Sequence, residues 1–359
     1  MDISREPGAE PDGAGDAPAS LLERAGSAAA GISSIGGGSP RRRALLQYGL
    51  AALIFGFLIF FVARQWNQLP DFDWRFSPGW LAVSVVCVAL FYTLQGELWR
   101  VVIHSLGEHI DATPGRAVWG KSLIARYVPT NVLMVVGRVV MAERHGVPKR
   151  VTLASVVYEL TLALGTAVMV GAYFVIELPE LKGTPARYAL LLLIPAVLVI
   201  LHPRVFRPFT TFALGKLGRE PLPRVLPFGR VLQLCLAYIA CWAAIGLGLY
   251  AFAAALHPVD LSDLPYLASS YPVAFCVAVV TFVVPSGIGT RDAALATAMA
   301  AVLPGPVATA IAVAFRILQT LVELLYVGTV VSLERRARRV SLRGPDSARE
   351  RSARERHSP

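Results

Sequence analysis

Uncharged apolar segments recur along the chain and are separated by shorter stretches that carry most of the charges. A helix rises 1.5 Å per residue, so about 20 apolar residues cross the hydrocarbon core of a bilayer. The pattern therefore predicts an all-α polytopic membrane bundle with about six to eight transmembrane helices. The apolar runs lie at 44–63, 79–99, 151–176, 188–202, 231–256, 265–284 and 307–333.

Composition divides the chain into three regions. Residues 1–43 are rich in Gly, Ala, Ser and Pro, lack an apolar period and end in three arginines, which predicts a disordered cytoplasmic N-terminal tail. Residues 44–333 hold all the apolar runs and are predicted to form the transmembrane domain, with 44–63 as a signal anchor. Residues 334–359 are predicted to be a basic, disordered cytoplasmic tail.

Charge adds an orientation to this picture. Charged residues make up only 16% of the chain against 55% hydrophobic residues, too few to cover the surface of a soluble domain. The net charge is +10; the connection 203–230 holds six Lys/Arg against one acid, and residues 334–359 hold nine arginines. The positive-inside rule therefore predicts a multi-pass protein of the plasma (inner) membrane with both termini cytoplasmic. Because the basic residues are scattered over loops and tail, no nucleic-acid partner is predicted.

Two apolar segments are too short to cross a bilayer and are interrupted by Pro or Gly. The stretch 117–142 contains such a break near Pro129 and is predicted to be a broken or re-entrant helix pair. Seven full spans would leave the termini on opposite sides, so either 292–304 crosses as an eighth helix or 265–304 is a re-entrant hairpin. Irregular backbone at membrane depth is tolerated where it lines a cavity or is buried in protein, so paired breaks predict a substrate path.

Arginines and glycines at the two breaks are the candidate ligands for a lipid headgroup. Arginine suits bidentate contact with phosphate, and the N–H groups of a glycine-rich turn before a helix attract anions. Membrane-edge anchors and a capped turn with a snorkelling arginine remain equally simple interpretations. The predicted headgroup-binding residues are Arg126, Asn131, Arg138, Gly287, Gly289 and Arg291.

Polar residues at helical spacing within the long apolar runs predict an intramembrane path. Arg316, Gln319 and Glu323 share one face of 307–333, and Glu159 lies in 151–176. Charges at such depth almost always face the protein interior, so Glu159 and Arg316 are predicted to pair between helices. A structural and a functional pair are both consistent with the pattern.

Motifs for catalysis are scarce. No GxSxG or HExxH motif is present and the cysteines form no CxxC pair, so no catalytic residue, metal site or cofactor is predicted. One alternative stays open. Asp71 and Asp73 form a DxD in the first outer loop, as in membrane glycosyltransferases that use polyprenyl-phosphate sugars, although a solvated loop explains the same residues.

Three blocks of the chain resemble the lysylphosphatidylglycerol synthase transmembrane region family of flippase-like membrane proteins: RYVPTNVLMVVGRVVMAERHGVPKRVTLASVVYE, VPSGIGTRDAALATAMA and AFRILQTLVELLYVG. The resemblance covers about residues 44–333. The family's aromatic-x-Pro-Gly turn and Gly-Arg are similar to 127–130 and 137–138, and its Pro-Gly-Gly-x-Gly-x-Arg-Glu block is similar to 285–292. Its helix Glu and its late Arg fall at Glu159 and Arg316. Thr130, Ser286 and Asp292 depart from the pattern.

The resemblance implies a translocase for lipids. In bifunctional members a soluble domain makes the aminoacylated lipid and the membrane part translocates it; only 26 residues follow the last apolar run here, so no synthase activity is implied. We therefore expect a bacterial inner-membrane flippase for an anionic or aminoacylated phospholipid or a polyprenyl-linked lipid. The alternatives are the glycosyltransferase above and a non-transporting partner of a lipid-modifying enzyme. The expected partners are a membrane phospholipid or lipid-linked glycan and such an enzyme.

Overall fold

The computed structural model describes residues 75–125, 131–177, 226–280 and 290–355, with scattered positions between 192 and 208. Within those residues the secondary structure is helical. The helices are α1 (Pro78–Ser105), α2 (Ala112–Ile124), α3 (Asn131–Glu143), α4 (Lys149–Ile176), α5 (Phe228–Leu256), a 3-10 turn (Leu261–Asp263), α6 (Leu264–Val280), α7 (Thr290–Met299) and α8 (Gly305–Glu355).

Five of these segments are long and apolar enough to cross a membrane. They are 20 to 33 residues long, which gives about 30–50 Å of helix. Five of the predicted apolar runs are therefore confirmed as helices of spanning length, and the polytopic all-α fold is confirmed with them. The predicted run 44–63 and most of 188–202 lie outside the described residues. The spanning segments are α1, α4, α5, Leu261–Val280 and the Gly305–Ala337 part of α8.

Three of the described helices are too short to span a membrane. The helices α2 and α3 have 13 residues each, about 20 Å, and α7 has ten, about 15 Å. The stretch predicted as a broken pair is accordingly two helices, which end and begin at Ile124 and Asn131. The segment 292–304 does not form a full crossing helix, because α7 ends at Met299 and a turn precedes α8. The linking residues 126–130 and 281–289 lie outside the described part of the chain.

The core of the bundle is built on α5, which packs against α1 and α6 and also against α4. Its centre holds large aromatic side chains that are almost fully buried, such as Trp99, Trp242 and Tyr238. The opposite faces of the spanning helices expose large apolar side chains, for example Val86 and Leu236. Apolar residues on the outside of a spanning helix face lipid instead of water, so both faces fit a bundle immersed in a bilayer.

The last helix continues beyond the membrane span. It runs to Glu355, whereas the sequence predicted a disordered tail from residue 334. Near the end of the span the helix is held by an ion pair between Lys121 of α2 and the buried carboxylate of Glu334. Arginine and alanine are good helix formers, so the helix extends from an already formed span without a new nucleation step.

Close packing between α5 and α6 depends on a glycine, which provides a first test of the fold. A Cβ on Gly246 would lie 2.5 Å from the backbone carbonyl oxygen of Ala268, which cannot turn aside. We expect Gly246→Ala to lower stability by about 1–3 kcal/mol, measured as a fall in apparent melting temperature in detergent. Gly328→Ala is the control, since nothing lies within 4 Å of its Cβ position. Equal melting of the two variants would contradict this packing.

Candidate functional site

Arg138 of the short helix α3 lies inside the bundle with 1% of its surface exposed. Its Nε donates a hydrogen bond of 3.0 Å to the Ser122 hydroxyl, and one terminal nitrogen forms an ion pair with Glu159 of α4. The guanidinium also lies 5.5 Å from the centre of the Trp99 ring. A buried charge is tolerated where it is paired and hydrogen-bonded; here Glu159 supplies the ion pair and Ser122 a hydrogen bond.

Glu159 joins this arginine to the aromatic residues around it. One carboxylate oxygen accepts from Arg138, and the other accepts a 2.9 Å hydrogen bond from the indole N–H of Trp119. The indole N–H of Trp99 donates to the Ser155 hydroxyl at 3.0 Å. The group formed by these residues and Ser122, which we call the Arg138 cluster, therefore ties together α1, α2, α3 and α4.

The predicted pairing of Glu159 with Arg316 is wrong in its partner. Both carboxylate oxygens of Glu159 are engaged, by Arg138 and Trp119, and within the described residues no ion pair joins Glu159 to Arg316. The periodicity of a helix shows which of its side chains share a face but not which helix lies opposite. Here α3 supplies the cation, and Arg316 is a half-buried side chain on α8.

Arg291, in the first turn of α7, is the second buried cation, with 9% of its surface exposed. One terminal nitrogen donates a 2.7 Å hydrogen bond to the side-chain oxygen of Gln319, whose amide nitrogen donates to the Tyr271 hydroxyl at 2.6 Å. The guanidinium lies 5.1 Å from the centre of the Tyr271 ring, and its Nε is 3.9 Å from Asp292. We call these four residues the Arg291 cluster; they belong to α6, α7 and α8.

A series of side-chain contacts leads from the Arg138 cluster to Glu323, one helical turn from Gln319 of the Arg291 cluster. Glu323, one helical turn after Gln319, accepts a 2.8 Å hydrogen bond from the Tyr92 hydroxyl. The Tyr92 ring stacks on Tyr326 at 6.1 Å, and Tyr326 meets Trp119 edge to face at 5.9 Å. Since Trp119 donates to Glu159, polar and aromatic groups connect Arg138 to Glu323. This connecting series consists of Glu323, Tyr92, Tyr326 and Trp119.

The structure describes only some of the predicted headgroup ligands. Arg138 and Arg291 are both buried and hydrogen-bonded to polar side chains. Arg126, Gly287 and Gly289 lie outside the described residues, as do Asp71 and Asp73. Asn131 is the first residue of α3, and its side chain is outside the described part as well. The intramembrane residues Gln319 and Glu323 are buried.

Sequence reasoning missed the aromatic partners of both clusters. Trp99, Trp119, Tyr92, Tyr326 and Tyr271 all lie in apolar stretches, where such residues read as ordinary core. Their polar tips supply the distinguishing feature, because a buried indole N–H or phenol needs a partner. Only the fold shows that Trp119, Tyr92 and Tyr271 bond to predicted polar residues, which are Glu159, Glu323 and Gln319.

One protein family matches most of this chain. Its model, described as lysylphosphatidylglycerol synthase TM region, matches residues 45–326. The chain belongs to this family. The resemblance expected over about residues 44–333 is thereby confirmed. No curated protein matches the chain.

Membership of the lysylphosphatidylglycerol synthase TM region family makes the chain a membrane protein concerned with lipids. Its place in a membrane agrees with the five described helices of spanning length and composition. The matched residues include both arginine clusters and the series of contacts from Trp119 to Glu323, so the site belongs to the part of the chain that defines the family.

Proposed function

We propose that this protein is a bacterial inner-membrane lipid translocase, which moves the headgroup of a lipid between leaflets while the acyl or prenyl chains stay in the bilayer. The lipid is an anionic or aminoacylated phospholipid, or a polyprenyl-linked lipid. The headgroup phosphate is received by the buried arginines and passes along the polar and aromatic groups between them.

The observation that carries this proposal is the placement of Arg138 and Arg291. Each lies on a helix too short to cross a membrane, and each is held inside the bundle by a polar side chain of a spanning helix, Glu159 or Gln319. Desolvating a phosphate in hydrocarbon is very costly, and a planar guanidinium is the side chain best suited to offset that cost. Two such groups inside one bundle give a headgroup an alternative to hydrocarbon.

The proposed orientation has both termini in the cytoplasm. It rests on the basic residues that flank the spans. The exposed Arg335, Arg336 and Arg339 lie at the end of the last span. Clusters of arginine next to a span favour the cytoplasmic side and attract anionic headgroups there.

A leaflet-exchange assay tests the function. The full chain is reconstituted in phosphatidylcholine vesicles that contain phosphatidylglycerol and a trace of headgroup-accessible, fluorescently labelled phosphatidylglycerol. Dithionite destroys the label in the outer leaflet only, so we expect the protein to allow loss of the inner-leaflet label as well. Parallel vesicles with labelled aminoacylated lipid and with a labelled polyprenyl phosphate identify the substrate. No exchange of any of the three lipids would overturn the proposal.

A further inference from the structure

The Arg138 cluster is neutral as a pair, and this neutrality constrains how it can accept a headgroup. Arginine stays protonated at any physiological pH, and Arg138 is almost completely enclosed. The charge opposite it is the single carboxylate of Glu159, whose side chain retains 17% exposure and is the more accessible partner. Whatever anion approaches Arg138 therefore meets a cation that is already compensated.

Groups from three neighbouring helices face Glu159. Within the pair of Arg138 and Glu159, the Glu159 carboxylate is the member whose charge can change. From α3 comes Arg138, from α2 the neutral indole of Trp119, and from α5 the Tyr238 hydroxyl, which lies within electrostatic range. That hydroxyl is fully buried and has no hydrogen-bond partner among the described residues. None of these groups supplies a second positive charge.

The remaining helices packed against α4 place no second cation in contact with Arg138 or Glu159 among the described residues. On α1, Glu97 forms ion pairs with Arg100 of its own helix and with Arg116 of α2; this partly exposed group carries a net charge of +1, but none of its members bonds to Arg138 or Glu159. The helix α6 contains no charged residue and meets α4 further along, near Gly171. A phosphate that arrived at Arg138 while Glu159 stayed ionised would leave one uncompensated negative charge within the Arg138 cluster.

We propose that a lipid phosphate replaces Glu159 on Arg138 only as Glu159 takes up one proton, so that headgroup binding is coupled to protonation. This inference rests on the proposed function, and it states how headgroup binding at Arg138 is regulated. The proton comes from the aqueous phase and bonds to the carboxylate oxygen that leaves Arg138. The other oxygen keeps its hydrogen bond from Trp119. The sum of charges is one cation and one phosphate, so the site stays neutral throughout.

A binding experiment on the full chain tests this coupling. Short-chain phosphatidylglycerol is titrated calorimetrically into the purified protein in uncharged detergent, in two buffers with different ionisation enthalpies, to count protons per lipid bound. We expect uptake of about one proton per lipid at pH values where free carboxylates are ionised. Because binding takes up a proton, affinity rises as pH falls, by up to about tenfold per pH unit.

Two variants separate Glu159 from other acids. In Glu159→Gln the side chain is permanently neutral, so binding should persist with no proton uptake and no pH dependence. In Glu143→Gln, the matched control, an exposed ion pair of 3.3 Å with Lys149 is lost from the same helix pair, and the proton count should equal that of the unaltered protein. Binding without proton uptake by the unaltered protein, or a Glu159→Gln variant that keeps the pH dependence, would overturn the coupling.

The outcomes distinguish this inference from the function beneath it. Leaflet exchange without proton uptake would leave the translocase standing and remove the coupling. Binding with one proton but no exchange would support the coupling and overturn the transport proposal. Absence of lipid binding to the unaltered protein would overturn the coupling. The proton count is measured on the unaltered protein, so this part of the test does not depend on whether a variant folds.

Discussion

Glu159→Ala is expected to destabilise the protein by about 3–5 kcal/mol, the usual cost of leaving one member of a buried ion pair without its partner. Arg138 would remain enclosed with a hydrogen bond to Ser122 and no anion. Because a guanidinium cannot release its proton, it cannot reduce this cost by becoming neutral. Arg138→Ala should be less damaging, since the carboxylate that remains is partly exposed and can take up a proton.

Thermal unfolding in detergent, followed by the fraction of monodisperse protein, measures this asymmetry. The double variant Arg138→Ala, Glu159→Ala should melt above Glu159→Ala alone, because no isolated charge is left behind. Glu143→Ala removes an exposed carboxylate paired with Lys149 and should change stability by less than about 1 kcal/mol. If Glu159→Ala melted at the same temperature as Glu143→Ala, the buried pair would contribute nothing to the stability of the bundle.

The spanning helices could be predicted from the sequence because the bilayer imposes a simple condition. Charges at its centre are costly, so a spanning segment has to be a long, almost uncharged run, and five such runs are helices of spanning length. The last helix runs on to Glu355, where the sequence predicted a disordered tail. Beyond the membrane the condition lapses, and the arginine-rich sequence from residue 334 is compatible with helix or coil until it is joined to a formed span.

The sequence predicts which residues belong to the candidate site but not which residues they contact. Glu159, Gln319 and Glu323 stand out as polar residues in apolar runs, and the structure places all three in hydrogen bonds or ion pairs. Which groups meet them depends on how α3 and α7 return into the bundle, and no helical period contains that information. This is why Arg138, and not the expected Arg316, faces Glu159.

Arg291→Ala is expected to slow leaflet exchange of phosphatidylglycerol by about ten- to a hundredfold. A hydrogen bond to a charged group contributes about 1.5–3 kcal/mol, and each 1.4 kcal/mol corresponds to a factor of ten. The side chain is held by Gln319 and lies over Tyr271, so it is fixed in position for a phosphate. The dithionite assay in vesicles of equal protein content measures the rate.

Arg291→Lys and Arg230→Ala make the interpretation specific. Lysine keeps the charge but loses the planar pair of donors, so its rate should fall between those of the unaltered protein and Arg291→Ala. Arg230 is an exposed arginine bonded to Ser105 and Gln233, and its loss should leave the rate unchanged. If Arg291→Ala, folded and monodisperse, exchanged lipid as fast as Arg230→Ala, the buried guanidinium would serve only to hold α7 against α8. The headgroup would then have to cross without it.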